Sequence, residues 1–300
     1  MSAPPKVSGS PIRALIAGAI DYAGLFPPAS LSMDDALGNY AGYLEGDDAW
    51  ALGRFVVPSD RTRELVDRAK AAGLPGPGKR PFRLSVVAAE PWPFGRSTGR
   101  AVELSGIGVE EAVEIRARTR DSILECGPLP AEPEVFFEIG VEADPSPLVA
   151  AIKQVGGRAK VRTGGVTPDA FPTAPRLARF IVTCARAGVA FKATAGLHHP
   201  LRASYRLTYD PSSPTGQMFG FLNVLLAAAL ARLGLDEERV AAVLSEGDLA
   251  AFRFAPAGVA WREHYVSTED LSRARATLAL SFGSCSFREP IDELQALGLL

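Results

Sequence analysis

The sequence predicts an α/β protein that folds as a (β/α)8 barrel of the TIM type. Short apolar runs alternate with helical patterns of ten or more residues, most plainly after Pro133, and such alternation is typical of parallel strands joined by right-handed crossovers. About eight strand signals can be counted, the number that closes this barrel. No G-x-G-x-x-G fingerprint follows the first strands, so the alternative, an open doubly wound parallel sheet, lacks its usual dinucleotide site.

In the first half of the chain, strands are predicted where β-branched and aromatic residues cluster between turn residues. These strands are Asp21 to Phe26, Gly53 to Pro58 and Phe82 to Ala89, and the fourth is either Ala101 to Leu104 or Ala112 to Ala117. Serine is a preferred N-cap. We therefore expect helices after Ser32 and Ser59, besides an apolar helix from Ile12 to Ile20.

In the second half, each strand signal is followed by a helix signal. The predicted strands are Val135 to Gly140, Ala159 to Thr163, Val189 to Ala195 and one within Thr277 to Phe287. The predicted helices are Ser146 to Val155, Ala174 to Ala187, Gly216 to Leu233, Asp236 to Ser245 and one capped by Ser267. The segment from Phe252 to Val266 has no clear assignment.

Composition is that of a globular protein with a large core, since 47% of the 300 residues are hydrophobic and 22% are charged. We expect a single α/β-barrel domain over residues 1–300, with residues 1–10 disordered. A net charge of −2 gives no reason to expect nucleic acid, and no apolar run approaches the roughly 18 residues of a membrane span. Three distant cysteines argue against disulfides and structural zinc, which favours the cytoplasm. The sequence is compatible with a homo-oligomer.

Charged residues occupy one face of three successive predicted strands. Because strand side chains alternate between faces, Glu138 lies on one face of its strand, Lys160 with Arg162 on one face of the next, and Lys192 with Thr194 on one face of the third. A strand covered by helices is normally apolar on both sides. We therefore expect this face to line the barrel near its carboxyl-terminal mouth, where barrel enzymes hold their active sites. Alternatively, Lys160 and Arg162 reach solvent from an edge strand, paired with Glu138.

One carboxylate among three cations predicts a site for a small anionic substrate. Burial and like charge would also lower the pKa of at least one lysine, which makes it a nucleophile toward carbonyl groups. Lys192 is the candidate for this role, because Ala193, Ala195 and Gly196 leave room around it. Glu138 or His198 would then move protons.

Further candidates follow the strand ends. Gly164 and Gly165 offer either backbone N–H groups to an anion or a tight turn. His198 and His199 follow the Lys192 strand, and imidazole suits acid–base work or metal binding. Ser284 borders the same mouth from the last strand, beside Cys285, which is either a reactive thiol or a small buried residue.

A local resemblance supports the choice of Lys192. The run Phe191-Lys192-Ala193-Thr194-Ala195-Gly196 resembles the Schiff-base strand of class I aldolases of the deoxyribose-phosphate aldolase type, which reads apolar-Lys-Thr-Ser-Thr-Gly. The run from Lys160 to Gly165 is similar to their Lys-x-Ser-Gly-Gly strand, although in those enzymes it follows the Schiff-base strand and here it precedes it. The resemblance implies that Lys192 forms the imine.

Three hypotheses about function remain. The first is an aldolase- or lyase-type barrel enzyme that needs no cofactor and acts on a small anionic carbonyl compound through an imine on Lys192. The second is a lyase or isomerase that uses a divalent metal held by His198, His199 and Glu138. The third is a barrel without catalytic activity that binds an anionic ligand. Thr194, Lys160, Arg162, Gly164, Gly165, His199 and Ser284 are the candidate substrate-binding residues.

Overall fold

Thirteen strands and ten α-helices are found in the computed structural model, which describes residues 10–88, 104 and 106–300. The strands are β1 (Ile20–Tyr22), β2 (Leu52–Pro58), β3 (Phe82–Ala88), β4 (Gly108–Arg116), β5 (Glu134–Glu138), β6 (Arg158–Arg162), β7 (Phe191–Thr194), β8 (Ala203–Arg206), β9 (Thr215–Met218), β10 (Phe252–Ala255), β11 (Gly258–Trp261), β12 (His264–Ser267) and β13 (Ala279–Ser284).

The helices follow the strands for most of the chain. They are α1 (Pro11–Ile16), α2 (Met33–Glu45), α3 (Thr62–Ala71), α4 (Arg120–Leu124), α5 (Ser146–Val155), α6 (Ala174–Ala187), α7 (Phe221–Arg232), α8 (Glu237–Ser245), α9 (Thr268–Thr277) and α10 (Arg288–Ala296). No helix within the described ranges is both long enough and apolar enough to cross a membrane.

Eight of the strands close into a parallel barrel in the order β1-β13-β7-β6-β5-β4-β3-β2. Closure depends on β1, which pairs with β13 on one side, where Asp21 is opposite Gly283, and with β2 on the other, where Ile20 is opposite Leu52. Because β1 is paired on both of its sides, the sheet has no free edge. The predicted barrel is confirmed, and the open doubly wound alternative is wrong.

The predicted strands agree with the barrel strands to within a few residues, with one larger shift at the start of the chain. The first strand is Ile20–Tyr22 rather than Asp21 to Phe26. The fourth strand is the second of the two alternatives and extends from Gly108 to Arg116. The other alternative lies largely outside the described residues, as does the predicted disorder of residues 1–10, of which Ser10 alone is described.

Most predicted helices are confirmed. The first, expected from Ile12 to Ile20, ends at Ile16, because Ile20 already belongs to β1, and two others begin later than expected. The helix expected after Ser59 starts at Thr62, because Ser59–Arg61 form a 3-10 turn first. The helix expected from Gly216 starts at Phe221, because Thr215–Met218 pair antiparallel with β8 to make a hairpin. The unassigned segment from Phe252 to Val266 belongs to a three-stranded antiparallel sheet, β10-β11-β12.

The β8–β9 hairpin matters for the site because it follows β7 at the carboxyl end of the barrel. Leu207 and Met218 of this hairpin line the cavity at the mouth of the barrel. Asn223 of α7 holds the preceding loop, since its side-chain oxygen accepts from the Arg202 amide at 3.0 Å and its nitrogen donates to the carbonyls of Val243 and Glu246. The hairpin therefore covers part of the mouth of the barrel, and Asn223 holds the loop that leads into it.

Candidate active site

A cavity of about 360 Å³ lies at the carboxyl-terminal mouth of the barrel. This volume falls at the lower end of the range for small-molecule sites. One side of the lining is apolar, with Phe26, Val56, Val87 and Leu207 among its members. The polar lining comes mainly from four adjacent strands, which contribute Glu114, Arg116, Glu138, Lys160, Arg162, Lys192 and Thr194, and His198 and Cys285 add to it from outside these strands.

Lys192 lies at the floor of this cavity and has no solvent-exposed surface. Its Nζ donates to Asp21 Oδ2 and to Glu114 Oε1, each at 2.6 Å. The ring of Phe136 lies below it, with Nζ 5.6 Å from the ring centroid, which is within the range of a cation–π contact. Two carboxylates and an aromatic face therefore surround one amine.

Glu114 joins this lysine to a second one. Its other oxygen, Oε2, binds Lys160 Nζ at 2.7 Å, and Lys160 in turn binds Glu138 Oε2 at 2.8 Å. Ser85 donates a further hydrogen bond to Glu114 at 2.6 Å. Asp21 is satisfied in the same way by Ser281 at 2.8 Å. The result is a buried chain of alternating charges, Asp21–Lys192–Glu114–Lys160–Glu138, across the barrel interior.

The charges in this chain stabilise one another against burial. Burial by itself lowers the pKa of Lys192, but the carboxylates of Asp21 and Glu114 outweigh it, and the pKa is raised. Burial likewise raises the pKa of a carboxyl group, yet Lys160 and Lys192 hold the pKa of Glu114 well below its usual range. The predicted lowering of a lysine pKa is therefore wrong for Lys192, because two carboxylates that the prediction did not include lie against it.

Two arginines stand at the opening of the cavity. Arg116 is the last residue of β4. Its Nε lies 3.4 Å from Glu138 Oε1, and more than half of its side chain is exposed. Arg162 ends β6 and is exposed. Burial by itself raises the pKa of Glu138, but Lys160 and, to a smaller extent, Arg162 outweigh it and lower that pKa. With these guanidinium groups, four cations of the site face three carboxylates. An anionic group that enters the mouth thus meets positive charge first.

The structure brings together the four charged residues that strand alternation predicted. Glu138, Lys160, Arg162 and Lys192 all line this one cavity, and Thr194 lines it as well. Neither Lys160 nor Arg162 lies on an edge strand, because the barrel is closed.

Two residues of the chain of charges were not among the predicted ones. Asp21 lies on a strand only three residues long, which carries little alternation to read. Glu114 lies in a segment whose charges resemble those of a surface helix, although the alternation of Glu114 and Arg116 with Val113 and Ile115 was a usable signal.

The remaining predicted residues occupy different places. Gly165 lines the cavity, whereas Gly164 lies against the Phe171 ring, which a Cβ atom there would meet at 2.3 Å. The two glycines are thus explained by close packing rather than by positive φ. His199 faces a neighbouring pocket, where it stacks on Tyr205 at 3.5 Å and bonds Glu293.

His198 lies on the cavity wall, in contact with residues of the last strand and the helix after it. Its Nδ1 is 3.1 Å from Glu289 Oε2 and 3.3 Å from Ser284 Oγ, and Cys285 Sγ lies 3.8 Å away. Ser284 is therefore a neighbour of His198, and it is not part of the cavity lining. Among the described residues no group of three or more His, Cys, Asp or Glu side chains is arranged to hold a metal ion.

Comparison with protein-family models and with curated proteins gives no match to this chain. The function is therefore inferred from the cavity and its chain of charges.

Proposed function

We propose that the chain is a lyase of the aldolase type that acts on a small anionic carbonyl compound through an imine on Lys192. The observation that carries the proposal is the environment of Lys192 Nζ, which lies at the floor of the cavity with two carboxylates at 2.6 Å. Lys192 has to pass its proton to one of these carboxylates before its nitrogen can attack a carbonyl carbon, and the raised pKa of Lys192 opposes that transfer in the resting protein.

The same two carboxylates suit the product of that step. The amine adds to the carbonyl carbon, the oxygen leaves as water after taking up protons, and the resulting iminium carries a positive charge where the ammonium was. Asp21 and Glu114 therefore face a cation before and after the reaction, and an environment arranged in advance around a developing charge favours its formation. The iminium then withdraws electrons from the bond that breaks.

The other residues of the cavity supply the remaining roles in this proposal. Lys160, which shares Glu114 with Lys192, can donate to the carbonyl oxygen. Glu138, with its pKa lowered, is an ionised base at neutral pH and can take the proton released on carbon–carbon cleavage. Arg116 and Arg162 at the opening would bind a carboxylate or phosphate on the substrate.

Borohydride trapping tests the proposal. The protein is incubated with pyruvate, glyoxylate or glycolaldehyde phosphate and reduced, and the peptides are read by mass spectrometry. We expect a mass gain on the peptide that carries Lys192 and not on the peptide that carries Lys153, which lies on helix α5 away from the cavity. Uncharged glycolaldehyde is the matched control, and it should label Lys192 less well than its phosphate.

A substitution separates recognition from chemistry. Arg162→Gln removes an exposed charge and should leave the fold intact. It should reduce the preference for glycolaldehyde phosphate over glycolaldehyde by about tenfold, which is about 1.4 kcal/mol. A panel of carbonyl compounds that leaves no adduct on Lys192 while anions still raise the melting temperature would instead support a barrel that binds anions without catalysis.

A further inference from the structure

Cys285 follows directly after β13 and lines the same cavity as Lys192. Only 5% of its surface is exposed, so that a reagent reaches the sulfur through the cavity. The thiol is free, as are those of Cys126 and Cys184. The proposed imine chemistry makes no use of it.

Two side chains lie against the sulfur, and a third orients one of them. Cys285 Sγ lies 3.8 Å from His198 Nδ1 and 4.0 Å from Nε2, and it lies 3.4 Å from the hydroxyl of Tyr209. Glu289 accepts from His198 Nδ1 at 3.1 Å and so fixes the ring. Thiol, imidazole and carboxylate thus lie together on one wall of the cavity, with the sulfur within 4.0 Å of both ring nitrogens. A protonated imidazole beside the sulfur is one of the ways in which nucleophilic cysteines are activated.

The charge on the imidazole favours the same role. Burial opposes a positive charge on His198, but Cys285 and Glu289 outweigh it and raise the pKa of His198 to about 10. Burial also raises the pKa of Tyr209, which keeps its O–H available as a donor to the sulfur. A thiolate at Cys285 would therefore meet one cation and one hydrogen-bond donor.

We propose that Cys285 is a second nucleophilic site of this cavity, activated by His198 and Tyr209, and that it reacts with an electrophilic carbon of small anionic compounds. The anionic class follows from the two guanidinium groups of Arg116 and Arg162 at the opening. This site does not depend on an imine at Lys192. Because different side chains are modified, either proposal can fail alone.

Alkylation by iodoacetate and iodoacetamide tests the site. The thiolate sulfur displaces iodide, so that a carbon–sulfur bond forms, the carbon–iodine bond breaks, and the iodide leaves with the bonding pair. Both reagents have the same reactive carbon and differ in charge. Rates are measured at each cysteine by mass spectrometry of the folded protein at pH 7, with the partly buried Cys126 as the internal reference.

We expect Cys285 to react with iodoacetamide about ten times faster than Cys126, as an activated thiol does. The rate with iodoacetate divided by the rate with iodoacetamide should be larger at Cys285 than at Cys126. Tyr209→Phe removes one hydroxyl from a residue that is half exposed, and should slow Cys285 about threefold without disturbing the fold. His198→Asn should bring its rate down to that of Cys126.

Two results would overturn the proposal. One is a Cys285 rate in the unsubstituted protein that does not exceed that of Cys126. The other is a ratio between the two reagents that is equal at both cysteines, since it would mean that the arginines do not steer anions to this sulfur. Both results are obtained without any variant, so that a substitution that impairs folding leaves the test intact.

Discussion

At the scale of single residues, Glu114 holds the charge balance of the site, because its two oxygens bind two different lysines. Both its carboxylate and those lysines are buried. Two ammonium groups on adjacent strands would repel each other without a carboxylate between them. Removal of one partner from a buried ion pair lowers the free energy of unfolding by several kcal/mol, because the remaining charge is left uncompensated.

We therefore expect Glu114→Gln to lower the free energy of unfolding by about 3 kcal/mol. The substitution keeps the shape of the side chain and removes one charge. Urea unfolding, followed by circular dichroism, measures the effect. The matched control is Glu45→Gln, since Glu45 pairs with Lys79 at 2.7 Å on the surface and should change stability by less than about 1 kcal/mol. Equal effects at the two sites would contradict this account.

At the scale of elements, the N-caps are what the sequence specified most directly. Ser32 and Ser267 each accept from the backbone amide three residues later, as does Asp236 before α8. Each cap satisfies an amide that the first turn of a helix leaves without a partner. These short-range contacts fix where the helices begin, and so where the strand ends that carry the site are held.

Ser267→Ala should lower the free energy of unfolding by about 1 kcal/mol, because the Asp270 amide then loses its acceptor at 3.0 Å. Ser272→Ala in the same helix is the control. Ser272 donates to the Thr268 carbonyl within the helix, where alanine is the better helix former, so its replacement should be neutral or stabilising. The melting temperatures of the two variants measure the difference. Equal decreases would show that the loss of a serine hydroxyl, rather than the loss of the cap, accounts for the effect.

At the scale of the whole molecule, the barrel places ionised groups in its interior that a typical barrel fills with apolar layers. Asp21, Glu114 and Glu138 come from three separate strands and share two lysines. Stability therefore depends on charges that titrate together, and acid should weaken the molecule at its centre.

The direction of this pH dependence follows from the pKa shifts. Burial opposes ionisation of Asp21, Glu114 and Glu138, but the lysines outweigh it, so that each folded pKa lies below its ordinary value of 3.8 or 4.5. Their contribution is complete above those ordinary values and is lost as the pH falls below them. The raised pKa of Lys192 has the opposite consequence, since its contribution is complete below 10.5 and is lost above it.

We expect stability to be highest between about pH 5 and pH 6.5 and to fall steeply on the acid side. Above pH 6.5 it should decline as well, because the contribution of His198, whose pKa is raised to about 10, is progressively lost. Urea midpoints between pH 3 and pH 7 measure the fall. In Glu114→Gln the fall should be shallower, by up to about 1.4 kcal/mol per pH unit, because one fewer proton is taken up when the chain unfolds. Parallel curves for the two proteins would show that Glu114 is not a source of the acid sensitivity.

The sequence by itself determined the barrel and the inward face of three strands. Period-two alternation decides which side chains of a strand share a face. This pattern alone was enough to place four charged residues together, namely Glu138, Lys160, Arg162 and Lys192. The cap residues Ser32, Asp236 and Ser267 likewise determined where their helices start. These are local properties, because each depends on residues within a few positions of one another.

Only the tertiary structure decided which charges meet. Asp21 and Lys192 are far apart in the chain, and they touch because β1 and β7 flank β13 in the closed barrel. Closure also placed Glu114 between two lysines, which raised the pKa of Lys192 where the isolated pattern predicted a lower one. Contacts between distant strands depend on the order of strands around the barrel, and the alternation within a single strand contains no information about that order.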